Sequence, residues 1–238
     1  MHMFEKSDTS KIAILPLRAG SKGLPGKNIR PLNGIPLYRH TLDQALRAVG
    51  RCVITTDIPE ILTADLPDKC MVISRPPHLA QDTTTMEEVL FHVFEYLETG
   101  KILPEMAVLL QATSPLRRDK DIHDAIYRYQ SGQDELVMSV TPTDPKFLKY
   151  GFLKDGKFNP VSCNQYCFEN RQNLPDMVRP NGAVYVFSPE DFRKNRGLTT
   201  DKIGAVEMPE SVSCDIDTEA DFLTIERIFK NTNMRLVG

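Results

Sequence analysis

Short apolar runs alternate along this chain with longer segments in which apolar residues return every three to four positions. The runs Lys11–Leu17, Cys52–Thr56, Cys70–Ser74, Met106–Gln111 and Leu136–Thr141 have the length and composition of buried strands. Helical patterns lie between most of them. The clearest begins near Thr85, where Thr85 and Glu88 make a capping box and Met86, Val89, Leu90, Val93, Phe94 and Leu97 form one apolar stripe. Asp119–Tyr129 repeats the pattern, with Ile122, Ala125, Ile126 and Tyr129 on one face and acidic residues in the first turn. This alternation predicts an α/β fold whose sheet is mostly parallel and covered by helices on both faces.

The rhythm breaks after Thr141. Thr-Pro-Thr-Asp-Pro145 opens a stretch rich in Asn, Gln, Pro and basic residues, read as a segment inserted at about 143–180 into a single domain spanning 1–238. Within it, Tyr150–Phe158 reads as a hairpin turning at Asp155-Gly156, and Asn159–Pro180 as an ordered polar loop. Ala183–Phe187 and Ala205–Met208 then read as returning strands, and Glu219–Lys230 as a terminal helix with Phe222, Ile225, Ile228 and Phe229 inward.

Composition narrows the function classes. With 238 residues, 41% hydrophobic and 26% charged, the chain is long enough for one large core, and disorder is not expected. A net charge of -3 and a pI near 6.0 argue against nucleic-acid binding, which needs a broad basic surface. No apolar run approaches the ~20 residues that span a bilayer. Met1–Lys11 has no apolar leader core, so the expectation is a cytoplasmic protein with no membrane partner. Five scattered cysteines fit reduced thiols. Neither Cys163 with Cys167 nor the five histidines make a metal motif.

Three segments that end strands carry chemistry, and ligands of open α/β sheets bind beyond strand carboxyl ends. The first is Arg18-Ala-Gly-Ser-Lys-Gly-Leu-Pro-Gly-Lys-Asn28. Gly20, Gly23 and Gly26 allow positive φ and close backbone approach, while Arg18, Lys22 and Lys27 supply cations for a polyphosphate. Its spacing matches neither standard nucleotide fingerprint, and a solvated basic turn is the alternative. The second, Gln111-Ala-Thr-Ser-Pro-Leu-Arg117, offers an amide, two hydroxyls and an arginine, or else a plain strand-to-helix turn. The third is Cys214-Asp-Ile-Asp-Thr218, where alternation puts Asp215 and Asp217 on one side, a pair suited to Mg²⁺. Alternatively, Asp217 or Thr218 caps the last helix, with Asp221 completing a capping box.

Taken together, Arg18-x-Gly-Ser-Lys-Gly-x-Pro-x-Lys-Asn28, Arg75-Pro, Asp82-Thr, Gln111-x-Thr-Ser-Pro-Leu-Arg117, Arg179-Pro-Asn-Gly-Ala183 and Asp215-Ile-Asp-Thr218 resemble the acylneuraminate cytidylyltransferases, in the family's order and over nearly the whole chain. Ala is more usual in that family at Leu17, Gly at Ala19 and Pro at Ala112, departures that remove no charged group. The resemblance implies a three-layer, Rossmann-like nucleotide-binding fold and Mg²⁺-dependent transfer of cytidine monophosphate from CTP to a nonulosonic acid. Lys27, Arg18 and Asp217 would be catalytic. Arg18, Gly20, Ser21, Lys22, Lys27, Asn28, Arg75, Thr83 and Thr84 would hold the nucleotide. Gln111, Lys149, Arg171, Asn181 and Tyr185 would line the sugar pocket, with Lys146 an alternative to Lys149 and Arg179 a weaker candidate. Asp215 and Asp217 would hold Mg²⁺, and the inserted segment would dimerise the chain. A Kdo cytidylyltransferase, a sugar-1-phosphate nucleotidyltransferase and a non-catalytic nucleotide-binding regulatory module are the alternatives.

Overall fold

A computed structural model describes residues 10–20 and 23–236, with side chains to residue 231. Ser21, Lys22 and residues 1–9, most of the segment read as lacking a leader, lie outside the described residues. In chain order the strands are β1 (Lys11–Leu17), β2 (Pro31–Leu32), β3 (Ile35–Pro36), β4 (Cys52–Thr56), β5 (Cys70–Ser74), β6 (Met106–Leu110), β7 (Leu136–Thr143), β8 (Gly151–Lys154), β9 (Lys157–Pro160), β10 (Met177–Phe187) and β11 (Ile203–Glu207). The helices are α1 (Leu37–Ala48), α2 (Pro59–Leu62), α3 (Met86–Thr99), α4 (Asp119–Gln130), α5 (Pro189–Lys194) and α6 (Glu219–Leu236).

The main sheet has seven strands in the order β11-β7-β10-β6-β1-β4-β5. β10 runs antiparallel to both neighbours and the other pairings are parallel, so the expected mixed sheet is present. Its two faces divide β1 by alternation. Ala13, Leu15 and Leu17 join Leu42 and Ala45 of α1 and Ile122 and Ala125 of α4. Ile12 and Ile14 face Leu90, Val93 and Phe94 of α3 and Phe192 of α5. Helices therefore cover both faces, which is why the central strands read as unbroken apolar runs. Thr85 and Glu88 form the expected capping box of α3. Among the described residues no helix is long and apolar enough to cross a membrane.

The inserted segment holds the predicted hairpin, β8 with β9, turning through positive φ at Asp155 and Gly156. One expectation is corrected. The stretch to Pro180 is not all loop, because β10 starts at Met177 and pairs with β7 from Met177↔Thr143 to Pro180↔Val140. Exposed residues Val178 to Pro180 and the missing proline donor hid this strand end from an apolar-run reading. The register then shifts between Pro180 and Tyr185, so Asn181–Val184 bulges out of the β7 ladder.

Candidate functional site

The loop after β1 is held on three sides. Asp57, directly after β4, accepts the Ala19 N–H at 2.9 Å, and buried Asn28 donates from Nδ2 to Arg18 O at 2.9 Å. Gly23 packs so tightly that a Cβ there would lie 2.3 Å from Asp217 O, a contact open only to glycine. Gly26, at φ 68°, turns the chain into the short 3-10 turn Lys27–Ile29. Gly20 shows neither constraint.

Lys27 Nζ donates to Ile216 O at 2.6 Å and pairs with Asp217 Oδ1 at 3.3 Å. Ile216 is fully buried and its N–H donates to Thr113 O, so Asp215 and Asp217 flank an anchored residue, as alternation required. Thr218 and Asp221 cap α6 between them: Asp221 N–H donates to Thr218 Oγ1, and Asp221 Oδ2 accepts from Thr218 N–H at 2.7 Å. Neither Asp215 nor Asp217 is needed for that cap. Although Asp215 as a residue is exposed, enough protein surrounds its carboxyl for desolvation to push its pKa up. The charge of Asp217 adds to the rise, while Thr113 and Lys27 oppose it. The Tyr185 hydroxyl is raised by burial and then by the charge of Asp215.

Arg75 follows β5 and is buried, with Nη2 donating to Thr55 O at 2.9 Å. Burial pushes its guanidinium down to about 10, with the Asp57 charge opposing, so it remains charged at neutral pH. Arg18 pairs with Asp82 at 2.7 Å. Among the described residues, Arg18 thus faces Asp82, Lys27 faces Asp217, and Arg75 feels the charge of Asp57.

A cleft of about 490 Å³ brings together Arg18, Gly23, Lys27, Asn28, Arg75, Gln111 and Asp217, whereas Asp215 and Tyr185 are not in its wall. A larger cavity of about 810 Å³ runs along β5 and α3, but it carries none of the residues expected at the site, so the smaller cleft is the candidate. Other expected residues are not part of the cleft wall. Thr83 is exposed and Thr84 donates its hydroxyl to His78 O. Asn181 is buried with its amide already engaged: Oδ1 accepts from Ser139 Oγ and Ala183 N–H, and Nδ2 donates to Ser213 Oγ. Lys149 donates to Glu169 O, while Arg171 and Lys146 pair with Asp144, all inside the inserted segment. Arg179 is exposed, and its guanidinium donates to its neighbour's carbonyl, Pro180 O. Asp57 and Gln44 were not singled out in the sequence, and Asp82 stood there only as part of the Asp82-Thr motif, without its pairing to Arg18. Only the position of Asp57 directly after a strand pointed to it.

The sequence model of the cytidylyltransferase family matches residues 12–151. An N-acylneuraminate cytidylyltransferase of Streptococcus agalactiae serotype V is 29% identical over 218 residues, 90% of this chain and 52% of that protein. The chain therefore spans about half the length of that relative. A CMP-N,N'-diacetyllegionaminic acid synthase of Legionella pneumophila is 27% identical over 236 residues, covering 95% of this chain and 99% of that one. Among solved structures, a CMP:2-keto-3-deoxy-manno-octonic acid synthetase complexed with CTP superposes with a TM-score of 0.71, covering 93% of this chain and 99% of that one. At 15% identity that likeness shows the fold alone.

Proposed function

Because the chain belongs to the cytidylyltransferase family, we propose that it transfers cytidine monophosphate from CTP to the anomeric hydroxyl of a nonulosonic acid, N-acylneuraminate or a relative such as legionaminate. The anomeric oxygen attacks the α-phosphorus, the bond to the β-phosphate oxygen breaks, and pyrophosphate leaves. Charge builds on the phosphoryl and leaving oxygens, so in-line positioning and fixed cations lower the barrier. One observation carries the reading: Lys27, at the end of the glycine loop, is anchored at 2.6 Å on the backbone between two carboxylates.

Arg18 and Lys27 would draw in the triphosphate, and Arg75 and Asn28 would hold the nucleoside end. Asp217 and Asp215 fit a hard cation, being two carboxylates close enough for one to raise the pKa of the other, a repulsion that Mg²⁺ would relieve. When bound, Mg²⁺ supplies counter-charge to the phosphate oxygens. Gln111 would mark the sugar half.

We further propose that a second copy of the chain completes the sugar half. Phe152, Leu153, Phe158 and Phe168 are 69, 80, 56 and 90% exposed in the inserted segment, apolar surface that a hairpin cannot bury by itself. Packing it on a partner in a two-fold dimer would carry Lys149 and Arg171 toward the other chain's cleft. Five unpaired thiols suit a reducing compartment, the cytoplasm.

The test is pyrophosphate release with CTP and a panel of N-acetylneuraminate, N,N'-diacetyllegionaminate, pseudaminate and Kdo. Release with a nine-carbon acid supports the reading. Release with Kdo alone, or with none of the panel, overturns it.

A further inference from the structure

The turn after β6 contains an arginine that never reaches solvent. Arg117 is 2% exposed, and Asp121 and Asp119 act on it only through space, being bound by Arg118 and Arg47. Its donors go elsewhere. Nη1 donates to Gln111 O at 3.2 Å and to Ala183 O at 2.7 Å, and Nη2 donates to Gln44 Oε1 at 2.9 Å. Gln44, buried on α1, donates back from Nε2 to Pro115 O at 3.1 Å and Arg117 O at 2.6 Å.

The position of the two carbonyls matters. The β6–β10 ladder includes Leu110↔Val184, so Gln111 and Ala183 sit one step beyond that rung, where the strands part and β10 bulges. Nη1 bridges that gap. The Gln111 side chain lies against Gly182, where an added Cβ would sit 3.8 Å from Gln111 Nε2. Burying an arginine away from a carboxylate is costly, and an apolar side chain could fill the same core. A planar guanidinium spanning two strands instead fixes a distance that packing alone would leave loose.

We propose that Gln44 and Arg117 are positioning residues that set the separation of Gln111 from Asn181–Ala183, and so the width of the sugar half of the cleft. This rests on the functional reading above. Neither residue touches substrate. Their effect is on the sugar and not on CTP, because Arg18 pairs with Asp82, Lys27 with Ile216 O and Asp217, and Arg75 with Thr55 O, none of them a partner of Gln44 or Arg117.

The experiment uses full-length Gln44→Leu, Gln44→Glu and Arg117→Lys with whichever of N-acetylneuraminate or N,N'-diacetyllegionaminate the wild type turns over. KM for each substrate is measured at saturation of the other, with the Kd of CTP by calorimetry and Tm alongside. Gln44→Leu should raise the sugar KM about tenfold while the CTP constants stay within about twofold, a placement effect of the size expected for an ångström-scale shift. Gln44→Glu keeps an acceptor for Nη2 and should recover part of the loss. Arg117→Lys cannot bridge both carbonyls and should show the same split. If it does not fold, Gln44→Leu decides alone. Sugar and CTP constants that move together, or a lowered Tm with neither changed, would reduce the pair to core structure and overturn the proposal. A wild type that binds CTP but turns over no nonulosonic acid would instead overturn the functional reading.

Discussion

The two halves of the cleft are built on different principles. The proposed nucleotide half gathers Arg18, Lys27, Asn28 and Arg75 from loops that leave neighbouring parallel strands, β1 and β5 lying on either side of β4. Parallel strands bring their carboxyl ends to one edge, so residues distant in sequence meet there within a single chain. The proposed sugar half would depend on β10, the antiparallel strand, and on the excursion that precedes it. Gln111 is in place, the Asn181 amide is engaged internally, and Lys149 and Arg171 are tethered to Glu169 and Asp144. On the proposed reading, one chain gathers its phosphate half by topology alone, whereas the sugar half, fed by an exposed hairpin, calls for another surface.

The strongest way to break this contrast is to remove the centre of the nucleotide half. Lys27→Ala should lower kcat by about 100–1000-fold, the loss typical of one preorganised electrostatic group, with the fold intact by circular dichroism. Near-normal turnover would remove Lys27 from the chemistry. Separating the halves comes next. Phe152→Ser with Phe158→Ser deletes two aromatic contacts of roughly 1.5–3 kcal/mol each and should weaken a dimer by about 100-fold or more in sedimentation, while CTP binding survives. In the same contrast, mixing Arg171→Ala with Lys27→Ala chains should regenerate some activity. Monomeric wild type, or no rescue in confirmed mixed dimers, would make the sugar half a single-chain feature.

A smaller effect is expected at the carboxylates. Asp217→Asn and Asp215→Asn should each weaken Mg²⁺ binding, read by calorimetry without sugar, by about tenfold or more. Unchanged binding in both would leave the pair without a metal role. The smallest effect lies outside the cleft. Hydrogen bonds from Asn195, Thr200 and Lys202 hold Glu135 at about 2, below its ordinary 4.5. A depressed carboxylate contributes stability above its unfolded pKa and loses it as pH falls through the folded one. Tm should therefore decline gradually between about pH 4.5 and 2, and Glu135→Gln should flatten that slope.

Much of the fold was legible because its strands are buried on both faces and read as plain apolar runs. Lys11–Leu17, Cys52–Thr56 and Cys70–Ser74 match the expected boundaries. The start of β10 was not legible, since Pro180 carries no donor and Val178 and Arg179 before it face solvent. Of the candidate site, the glycine loop and the Asp215-Ile-Asp217 pair stood out by residue type. Their partners did not. Nothing local to Ala19 names Asp57, and nothing in the helical pattern of Leu37–Ala48 sets Gln44 apart as the mate of Arg117. Those pairings are decided by which elements the topology lays side by side. That Thr218, and not Asp217, forms the cap with Asp221 was likewise visible only in the fold.

The bond from Lys27 Nζ to Ile216 O joins residues 189 positions apart. Closing so long a loop carries an entropic penalty that only a largely assembled sheet can offset, so this clasp forms near the end of folding. During synthesis, the glycine loop emerges long before the carboxylates that flank its anchor, and a nascent chain holding only residues 12–151 has the cradle but not the clasp. The clasp can close only once the segment around Ile216 has been made, and a chain stalled short of it has the cradle without its anchor.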